Sequence, residues 1–279
     1  MTRAMLITHT HPETTSGAVA ATVEAAEAAG VQLVATADEH EKQGEAAAGI
    51  ERVDDDERPD VCIVLGGDGS ILYALRRFAD TGVPVFGVNF GTIGFLAAVE
   101  RDELQKGLPR AFSADFEVVD LPALRVDLPV ERPVALNDVS FVRRPHGRVA
   151  ELAYRIGGEE VGSVRCDGLV AATPAGSTGY NLANAGPILA WGVKGYVVSF
   201  IAPHTLAARA LVVAPGDALH VGNAAGRDPV EISLDGEAAG ELAPGDELEI
   251  RFDDGVGRLA QLRGANFYHR IREKFGKLA

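Results

Sequence analysis

The chain has 279 residues, of which 47% are hydrophobic, and a formal net charge of −14 at pH 7. This length suits one large domain or, as we expect, two ordinary ones with real cores. The acidic balance argues against a nucleic-acid-binding surface, which needs a basic face, and no apolar run approaches the length of a membrane span. Because no cleavable signal precedes the first strand pattern, we expect a cytoplasmic protein.

The basic residues are mostly arginine. Only five of the 26 basic residues are lysines, at positions 42, 106, 194, 274 and 277, while carboxylates are abundant. Acidic, lysine-poor surfaces can stay soluble where salt screens their self-repulsion. The composition therefore predicts a halophilic cytoplasm.

The N-terminal part begins with an alternation of strand and helix patterns. Residues 4–8 and 31–35 are typical strands, and between them lies an alanine-rich helix with Ser16 as its N-cap and Gly30 as its terminator. The acidic stretch 37–60 is expected to be a solvated loop that could hold one short helix.

A glycine-rich loop that contains one acidic residue follows the strand pattern at 61–64. Residues 65–70 are Leu-Gly-Gly-Asp-Gly-Ser, and the apolar spacing then becomes helical, which predicts a strand, a turn and a helix. Backbone N–H groups at this edge of a parallel sheet can bind an anion. Asp68 would repel that anion unless it held a metal or accepted a proton from an attacking hydroxyl, as phosphoryl transfer to an alcohol requires. A tight turn that merely carries aspartate is the alternative.

The next strand pattern, at 83–88, ends in a second glycine segment. Residues 89–96 are Asn-Phe-Gly-Thr-Ile-Gly-Phe-Leu. At the carboxyl end of a neighbouring parallel strand, they would face the same crevice as Asp68. An ordinary strand-to-helix turn explains the segment about as well when it is considered alone.

From about residue 118 the pattern changes to short β-rich runs separated by Gly, Pro and Asp, which predicts a layered antiparallel domain. We place the domain boundary near 117. The runs lie at 124–128, 134–142, 152–156, 160–164, 196–201, 218–221, 230–234 and 247–252. Residues 266–277 have the spacing of an amphipathic helix that packs back on the body.

A second informative block lies within the β-rich part, from Arg165 to Tyr180. An apolar strand is followed by a Gly/Ser/Thr turn that offers hydroxyl and backbone N–H groups to a sugar, a phosphate or a base. Tyr180 could stack on a ring, and Asp167 could accept a hydrogen bond from an amino group. A helix capped by Ser177 or Thr178 explains the turn equally well.

Taken in order along the chain, six segments resemble the ATP-NAD kinase family. They are Gly-Gly-Asp-Gly at 66–69, Asn-x-Gly-x-x-Gly-Phe-Leu at 89–96, Asn-Asp at 137–138, the Asp-Gly to Tyr block at 167–180, Pro-His-x-Leu-x-x-Arg at 203–209, and Asp-Gly at 235–236. The resemblance implies transfer of a phosphoryl group from ATP or polyphosphate to the adenosine 2′-hydroxyl of NAD. With the acidic composition, it suggests a member from a halophilic archaeon.

The resemblance also implies a fold and a site. The fold would be an α/β nucleotide-binding domain (1–117, carrying the first loop), an all-β, β-sandwich-like NAD-binding domain (118–262), and a C-terminal helix (263–279) that returns to the first domain. Asp68 would be the catalytic proton acceptor and, with Gly69, part of the NAD site. The remaining NAD-binding residues would be Asn137, Asp138, Arg165, Asp167, Ala175, Thr178, Gly179, Tyr180, Asn181, Leu182, Ala183 and Ala202.

Both substrates are polyanions, so we expect a divalent cation, Mg²⁺, to bridge the donor phosphates. No dedicated metal cage is evident in the sequence, and the glycine loop lacks the Gly-Lys-Ser/Thr ending of a Walker A motif. The partners we expect are the dinucleotide and the phosphoryl donor, in a homodimer or homotetramer, without nucleic acid or membrane.

Other readings stay open at this point. Phosphofructokinases and diacylglycerol-type lipid kinases share the Gly-Gly-Asp-Gly loop, so a related kinase could act on a sugar phosphate or a lipid. A non-catalytic dinucleotide sensor on the same scaffold is a further alternative.

Overall fold

The structure is a computed structural model that describes residues 2–91, 94–224, 228–264 and 267–276. The chain forms two compact units, Met1–Asp120 together with Gly257–Ala279, and Leu121–Val256. Each has its own hydrophobic core. The first unit therefore takes residues from both ends of this sequence.

The N-terminal part of the first unit alternates strands and helices. In chain order they are β1 (Arg3–Thr8), α1 (Ser16–Ala29), β2 (Gln32–Thr36), α2 (Ala37–Gln43), β3 (Glu51–Val53), β4 (Val61–Gly66), α3 (Asp68–Arg77), β5 (Val85–Asn89), β6 (Val99–Glu100) and α4 (Leu104–Phe112).

The later elements are mostly strands. In chain order they are β7 (Glu117–Val126), β8 (Val134–Ala135), β9 (Asp138–Arg143), β10 (Ala150–Ile156), β11 (Glu159–Cys166), β12 (Gly168–Ala172), α5 (Tyr180–Ala183), β13 (Tyr196–Ile201), β14 (Leu211–Val213), β15 (Leu219–Asn223), β16 (Val230–Leu234), β17 (Glu237–Leu242), β18 (Glu247–Gln261) and α6 (Phe267–Phe275). The last residues of β18 and all of α6 belong to the first unit.

The first unit is built on a parallel sheet with the strand order β3-β2-β1-β4-β5, and the end of β18 pairs with β5. Thr8 is in register with Leu65, and Gly66 with Asn89. The carboxyl ends of β1, β4 and β5 therefore lie side by side, at the edge where open α/β sheets bind ligands.

Both faces of this sheet are covered, which explains its continuous apolar strands. Leu6, Ile63 and Val88 pack with side chains of α1 and α4 on one face. Side chains of the opposite parity are also buried, because successive side chains of a strand point to opposite faces. On that second face a Cβ at Gly87 would collide with the side chain of Ile71, so glycine there allows α3 to approach β5 closely. This approach sets the position of Asp68, the first residue of α3.

The second unit consists of two antiparallel layers. One has the strand order β14-β13-β12-β9-β16-β17, and the other contains β11, β10, β15 and the first part of β18. Phe141 and Leu169 from the first layer share one core with Leu152, Val221 and Ile250 from the second. The predicted fold class, an α/β domain plus a β-sandwich-like domain and a C-terminal helix, is confirmed.

Strand β12 is apolar on both faces for a local reason. Leu169 and Ala171 point into the core between the layers, whereas Val170 and Ala172 pack with Leu189 on the outer face. The chain that follows β12 thus folds back over the sheet, and it carries the predicted Gly/Ser/Thr turn.

Several local predictions need correction. The acidic stretch 37–60 contains one short helix, α2, as the prediction allowed, and also the edge strand β3, which was not predicted. Thr15, not Ser16, is the N-cap residue of α1, and the Thr15 side chain makes no capping hydrogen bond to this helix. Gly30 does end α1, with a left-handed φ of 67° and its N–H bonded to the carbonyls of Ala26 and Glu27.

The predicted strand at 134–142 is interrupted. It divides into β8 and β9, and Leu136 and Asn137 form the turn between them. The predicted C-terminal helix is present as α6, while its predicted ends, Asn266 and Lys277, lie outside the described residues. Within the described ranges, no helix is both long enough and apolar enough to cross a membrane.

Candidate active site

The carboxylate of Asp68 is held by two backbone N–H groups. Phe95 N–H donates to Oδ2 at 2.7 Å, and Leu96 N–H donates to Oδ1 at 3.0 Å. Asp68 starts α3 directly after β4, and the two donors lie in the segment after β5. The two bonds orient the carboxylate, and each oxygen keeps a lone pair for a further partner.

The surroundings of Asp68 make it a better base than an exposed aspartate. Burial raises its pKa, while the N–H groups of Phe95 and Leu96, and then the charges of Arg270 and Lys274 on α6, oppose the rise. A proton acceptor works best when its pKa lies near the operating pH. The site thus combines fixed geometry with increased basicity.

The glycine segments after β4 and β5 touch each other. A Cβ on Gly91 would lie 3.3 Å from the Cα of Gly67, so the two backbones leave little room for side chains. Asn89 ties this edge together, because its Oδ1 accepts the Gly91 N–H at 2.9 Å and its Nδ2 donates to Glu100 at 2.7 Å. Thr92 and Ile93, which belong to the predicted segment 89–96, lie outside the described residues.

The start of α3 is open to an anion. Its N-cap is Gly67, which as a glycine has no side chain to cap the first turn. The first N–H groups of a helix have no intrahelical partner, and they carry the positive end of the helix dipole. Gly69, the second residue of α3, is exposed in this turn.

In the second unit, Asn137 and Asp138 belong to a turn whose backbone is held by residues that are distant in the sequence. The Asp235 carboxylate accepts N–H groups from Leu136, Asn137 and Asp138 at 3.0, 2.7 and 3.1 Å. Thr173 donates its hydroxyl to the Leu136 carbonyl at 2.6 Å and its N–H to the Asn137 carbonyl at 2.8 Å. The turn backbone is therefore fixed by its partners.

Asp138 is buried beside a second carboxylate. Burial and, secondly, the charge of Asp235 raise the pKa of Asp138 to about 7. Tyr180 lies near this group, since the charges of Asp138 and Asp167 add to burial in raising the pKa of its phenol. The ionisation state of Asp138 thus changes in the physiological range.

The ends of β11, β12 and β13 bring together Arg165, Asp167 and Ala202. Arg143 Nε donates to Asp167 at 2.6 Å, and this bond holds the pKa of Asp167 below its ordinary value. His204 N–H donates to the Arg165 carbonyl at 2.8 Å, which pins the turn in which Ala202 has a left-handed φ of 42°. Arg143 and Arg165 also line a cavity of about 640 Å³.

The block from Ala175 to Ala183 is part buried and part exposed. Ala175 and Asn181 are buried, and the Asn181 amide donates to the Ser177 and Pro187 carbonyls, each at 3.0 Å. The Asn181 side chain therefore holds the loop together. Leu182 is half-buried, and the exposed members of the block are Gly179, Tyr180 and Ala183.

The predicted helix cap at Ser177 or Thr178 is wrong. The Ser177 hydroxyl donates to the Pro174 carbonyl at 2.7 Å, and the Thr178 hydroxyl donates to the Ala175 carbonyl at 3.2 Å. Gly179 occupies the N-cap of α5. These hydroxyls close the preceding turn instead of starting the helix.

Sequence reasoning missed residues that shape the site without belonging to the predicted set. Asp235 and Thr173 fix the Asn137 turn, and Arg143 orients Asp167. A Cβ at Gly176 would collide with the backbone of Asn137, so glycine is needed there. The Asp-Gly motif at 235–236 was the available signal for Asp235, whereas Arg143 had none.

Two conserved domains match this chain. The ATP-NAD kinase N-terminal domain matches residues 15–116, and the ATP-NAD kinase C-terminal domain matches residues 136–256. The NAD kinase of Symbiobacterium thermophilum is 36% identical over 220 residues, which cover 77% of this chain and 78% of that protein. The NAD kinase of Rhodopirellula baltica is 33% identical over 226 residues, which cover 79% of this chain and 73% of that protein. The chain belongs to the NAD kinase family.

Solved structures from the NAD kinase family share the fold. Yeast NADH kinase in complex with NADH superposes with a TM-score of 0.86 at 21% identity, over 99% of this chain and 88% of that one. The NAD kinase of Archaeoglobus fulgidus in complex with ATP gives a TM-score of 0.76 at 24% identity, over 99% of this chain and 98% of that one.

Membership of the NAD kinase family decides between the readings that the sequence left open. The activity of this chain is that of an NAD kinase, and neither a non-catalytic sensor nor a sugar-phosphate or lipid kinase is favoured.

Proposed function

We propose that Asp68 accepts the proton of the adenosine 2′-hydroxyl of NAD while that oxygen attacks the terminal phosphorus of ATP or polyphosphate. The observation that carries the proposal is the carboxylate fixed by the Phe95 and Leu96 N–H groups at the carboxyl edge of a parallel sheet. The bond from phosphorus to the donor's bridging oxygen breaks as the new bond to the ribose oxygen forms, and NADP is released.

The start of α3 would bind phosphate oxygens during this transfer. The N–H groups of its first turn and the glycines beside it would allow an anion to approach the backbone closely. A Walker A lysine is missing from this loop, so backbone dipoles take over part of its role.

The dinucleotide would be bound by residues of the second unit. Asn137 and Asp138 would hold the adenosine portion, because an ionised Asp138 accepts hydrogen bonds from ribose hydroxyls. Since burial raises the pKa of Asp138 to about 7, we expect this interaction to strengthen as the pH rises through neutrality. The other residues proposed to line the dinucleotide are Arg165, Asp167, Ala175, Thr178, Gly179, Tyr180, Asn181, Leu182, Ala183 and Ala202.

The divalent cation fits as part of the donor. Among the described residues, no group of three or more His, Cys, Asp or Glu side chains could form a metal site. Mg²⁺ prefers to keep several waters and to bind phosphates rather than a cage made of protein ligands alone. The protein would therefore bind the Mg²⁺ complex of the donor as its substrate.

The cellular setting of the protein is inferred from its composition. The net charge of −14 and the scarcity of lysine support a cytoplasmic enzyme of a halophilic archaeon, without a nucleic-acid or membrane partner. We propose a homodimer or homotetramer, as in the family that the sequence resembles.

The test uses the purified chain with NAD, ATP and Mg²⁺ at high salt, and an NADP-specific dehydrogenase reports the product. Asp68→Asn should lower kcat by about 10²- to 10⁴-fold, since a general base typically contributes that much. NAD binding, measured by calorimetry, should persist. Asp56→Asn, an exposed aspartate of the same unit, is the matched control and should keep full activity. Full turnover by Asp68→Asn would refute the proposed role.

A further inference from the structure

A chain of hydrogen bonds leads from α6 to the Asp68 carboxylate inside the first unit. Arg270 Nη2 donates to Gln261 Oε1, and Gln261 Nε2 donates to the Leu96 carbonyl at 2.8 Å. The Leu96 N–H then donates to Asp68 Oδ1 at 3.0 Å. The Leu96 carbonyl and N–H belong to successive peptide groups that share the Leu96 Cα, so the two bonds together fix the position of this residue.

The orientation of the Gln261 amide is determined by its two partners. A guanidinium can only donate and a carbonyl can only accept, so Oε1 must face Arg270 and Nε2 must face Leu96. Gln261 ends β18 and is 2% exposed, so water does not replace either partner. The amide therefore links the position of α6 to the backbone of Leu96.

Helix α6 also supports the other donor to Asp68. The ring of Phe275 packs against the ring of Phe95 at 5.8 Å between centroids. The Arg270 guanidinium is partly buried between α6 and the segment that holds Asp68. The carboxylates that act on it are Asp68, Glu100 and Glu273. Burial of a cation is costly unless it is compensated, and Asp68 is one of the groups that compensates Arg270.

We propose that Arg270 and Gln261 are positioning residues for phosphoryl transfer, which hold the Leu96 backbone and through it the Asp68 carboxylate in the orientation that accepts the proton. This inference rests on the proposed role of Asp68. Because both residues act through Leu96 and Asp68, their loss should affect the orientation and ionisation of the base rather than the binding of NAD.

The experiment compares Arg270→Met, Arg270→Lys and Gln261→Met with Arg272→Met, which changes an exposed arginine on the same helix. We expect Arg270→Met and Gln261→Met to lower kcat by about 10- to 100-fold, because a small misplacement costs that much, and to leave the KM for NAD within about threefold. Arg272→Met should match the unmodified protein.

The pH profile of kcat separates positioning from mere structural support. Arg270 and Lys274 on α6 and the N–H groups of Phe95 and Leu96 lower the pKa of Asp68, so Arg270→Met should move the acid limb to higher pH. Arg270→Lys keeps the charge and should return the limb toward its original position, even if its kcat stays low because the bond to Gln261 is lost.

Two results would overturn the inference. One is that Arg270→Met and Gln261→Met have the same kcat and the same acid limb as Arg272→Met. The other is that Arg270→Met has a lower melting temperature but an unchanged acid limb. Should Arg270→Met not fold, Gln261→Met decides by kcat, because it keeps the cation and should not move the acid limb: a kcat equal to that of Arg272→Met overturns the inference. Asp68→Asn measured in parallel keeps the proposals distinct: an active Asp68→Asn refutes the role of Asp68, whereas an inactive one with a normal Arg270→Met refutes only the positioning role.

Discussion

The carboxylate of Asp235 accepts the backbone N–H of Asn137 at 2.7 Å, although β9 to β16 lie between the two residues in the sequence. The same carboxylate also accepts the N–H groups of Leu136 and Asp138. These three N–H groups stabilise a negative charge beside Asp138, which is itself buried. The turn proposed to hold adenosine is thus organised by an acid that need not touch the nucleotide.

Asp235→Asn should weaken NAD binding more than turnover. Asparagine keeps the size of the side chain but replaces one acceptor oxygen with a donor, so the three N–H groups cannot all keep their partner. We expect the KM for NAD to rise about tenfold and the free energy of unfolding to fall by about 1–3 kcal/mol. Steady-state kinetics and urea titration measure the two effects. Asp246→Asn, at an exposed turn of the same unit, should change neither, and an equal response of both variants would contradict the interpretation.

Asp138 should make the protein less stable as the pH rises. Its pKa is raised from 3.8 to about 7 in the folded protein, so at pH 3 the group is protonated in both folded and unfolded states. Between these two pKa values the unfolded chain releases a proton that the folded protein retains, and the stability present at low pH is progressively lost.

Asp138→Asn should remove this dependence. Between pH 4 and 8 we expect the unmodified protein to lose on the order of 2–4 kcal/mol relative to the variant, from the size of the shift. Urea unfolding across this range, at constant salt, measures the difference, with exposed Asp127→Asn as the control. Parallel stability curves for Asp138→Asn and the unmodified protein would show that Asp138 titrates normally.

Arg143→Met should impair NAD binding without much loss of stability. The Arg143–Asp167 pair is about one-third exposed, and solvent-screened ion pairs of that kind contribute little to stability. Asp167 would lose the partner that orients it, so the KM for NAD should rise by about three- to tenfold. The neighbouring Arg144 pairs with exposed Glu241, and Arg144→Met should leave the KM unchanged. Equal KM values for the two variants would argue against a role for Asp167.

Salt should stabilise the protein strongly. At an ionic strength near 1 M the Debye length is about 3 Å, so the repulsion that results from a net charge of −14 is screened. We expect the melting temperature to rise by at least about 10 °C between 0.1 and 2 M KCl. Replacing the exposed Asp54 and Asp56 by asparagine should reduce the slope. Equal melting temperatures in dilute buffer and molar KCl would rule out the halophilic proposal.

Local signals were enough to locate the elements around Asp68. A β-branched run, a glycine turn and a helical spacing together predict where the loop lies, because each depends on neighbouring residues only. Helix α4 was not predicted, although Leu104, Leu108 and Phe112 have helical spacing, because Gly107 and Pro109 weaken its helix propensity.

Bonds between distant segments could not be predicted in this way. The contact between Asp235 and Asn137 requires β16 to lie beside β9, and the contact between Arg270 and Gln261 requires α6 to fold back on the end of β18. No periodicity of the sequence encodes either arrangement, since each results from the packing of the whole unit. The residues proposed to touch substrates were therefore easier to find than those that hold them.

The return of β18 and α6 to the first unit has a consequence for biosynthesis. Leu259 and Ala260 pair with β5, and Arg270 reaches the peptide beside Asp68 through Gln261, so the parallel sheet is incomplete until these residues exist. On the ribosome, the second unit can form from a contiguous stretch of nascent chain while the first must wait for residues 257–276. Premature termination of translation in that stretch would leave a β-sandwich intact and deprive the Asp68 carboxylate of its support.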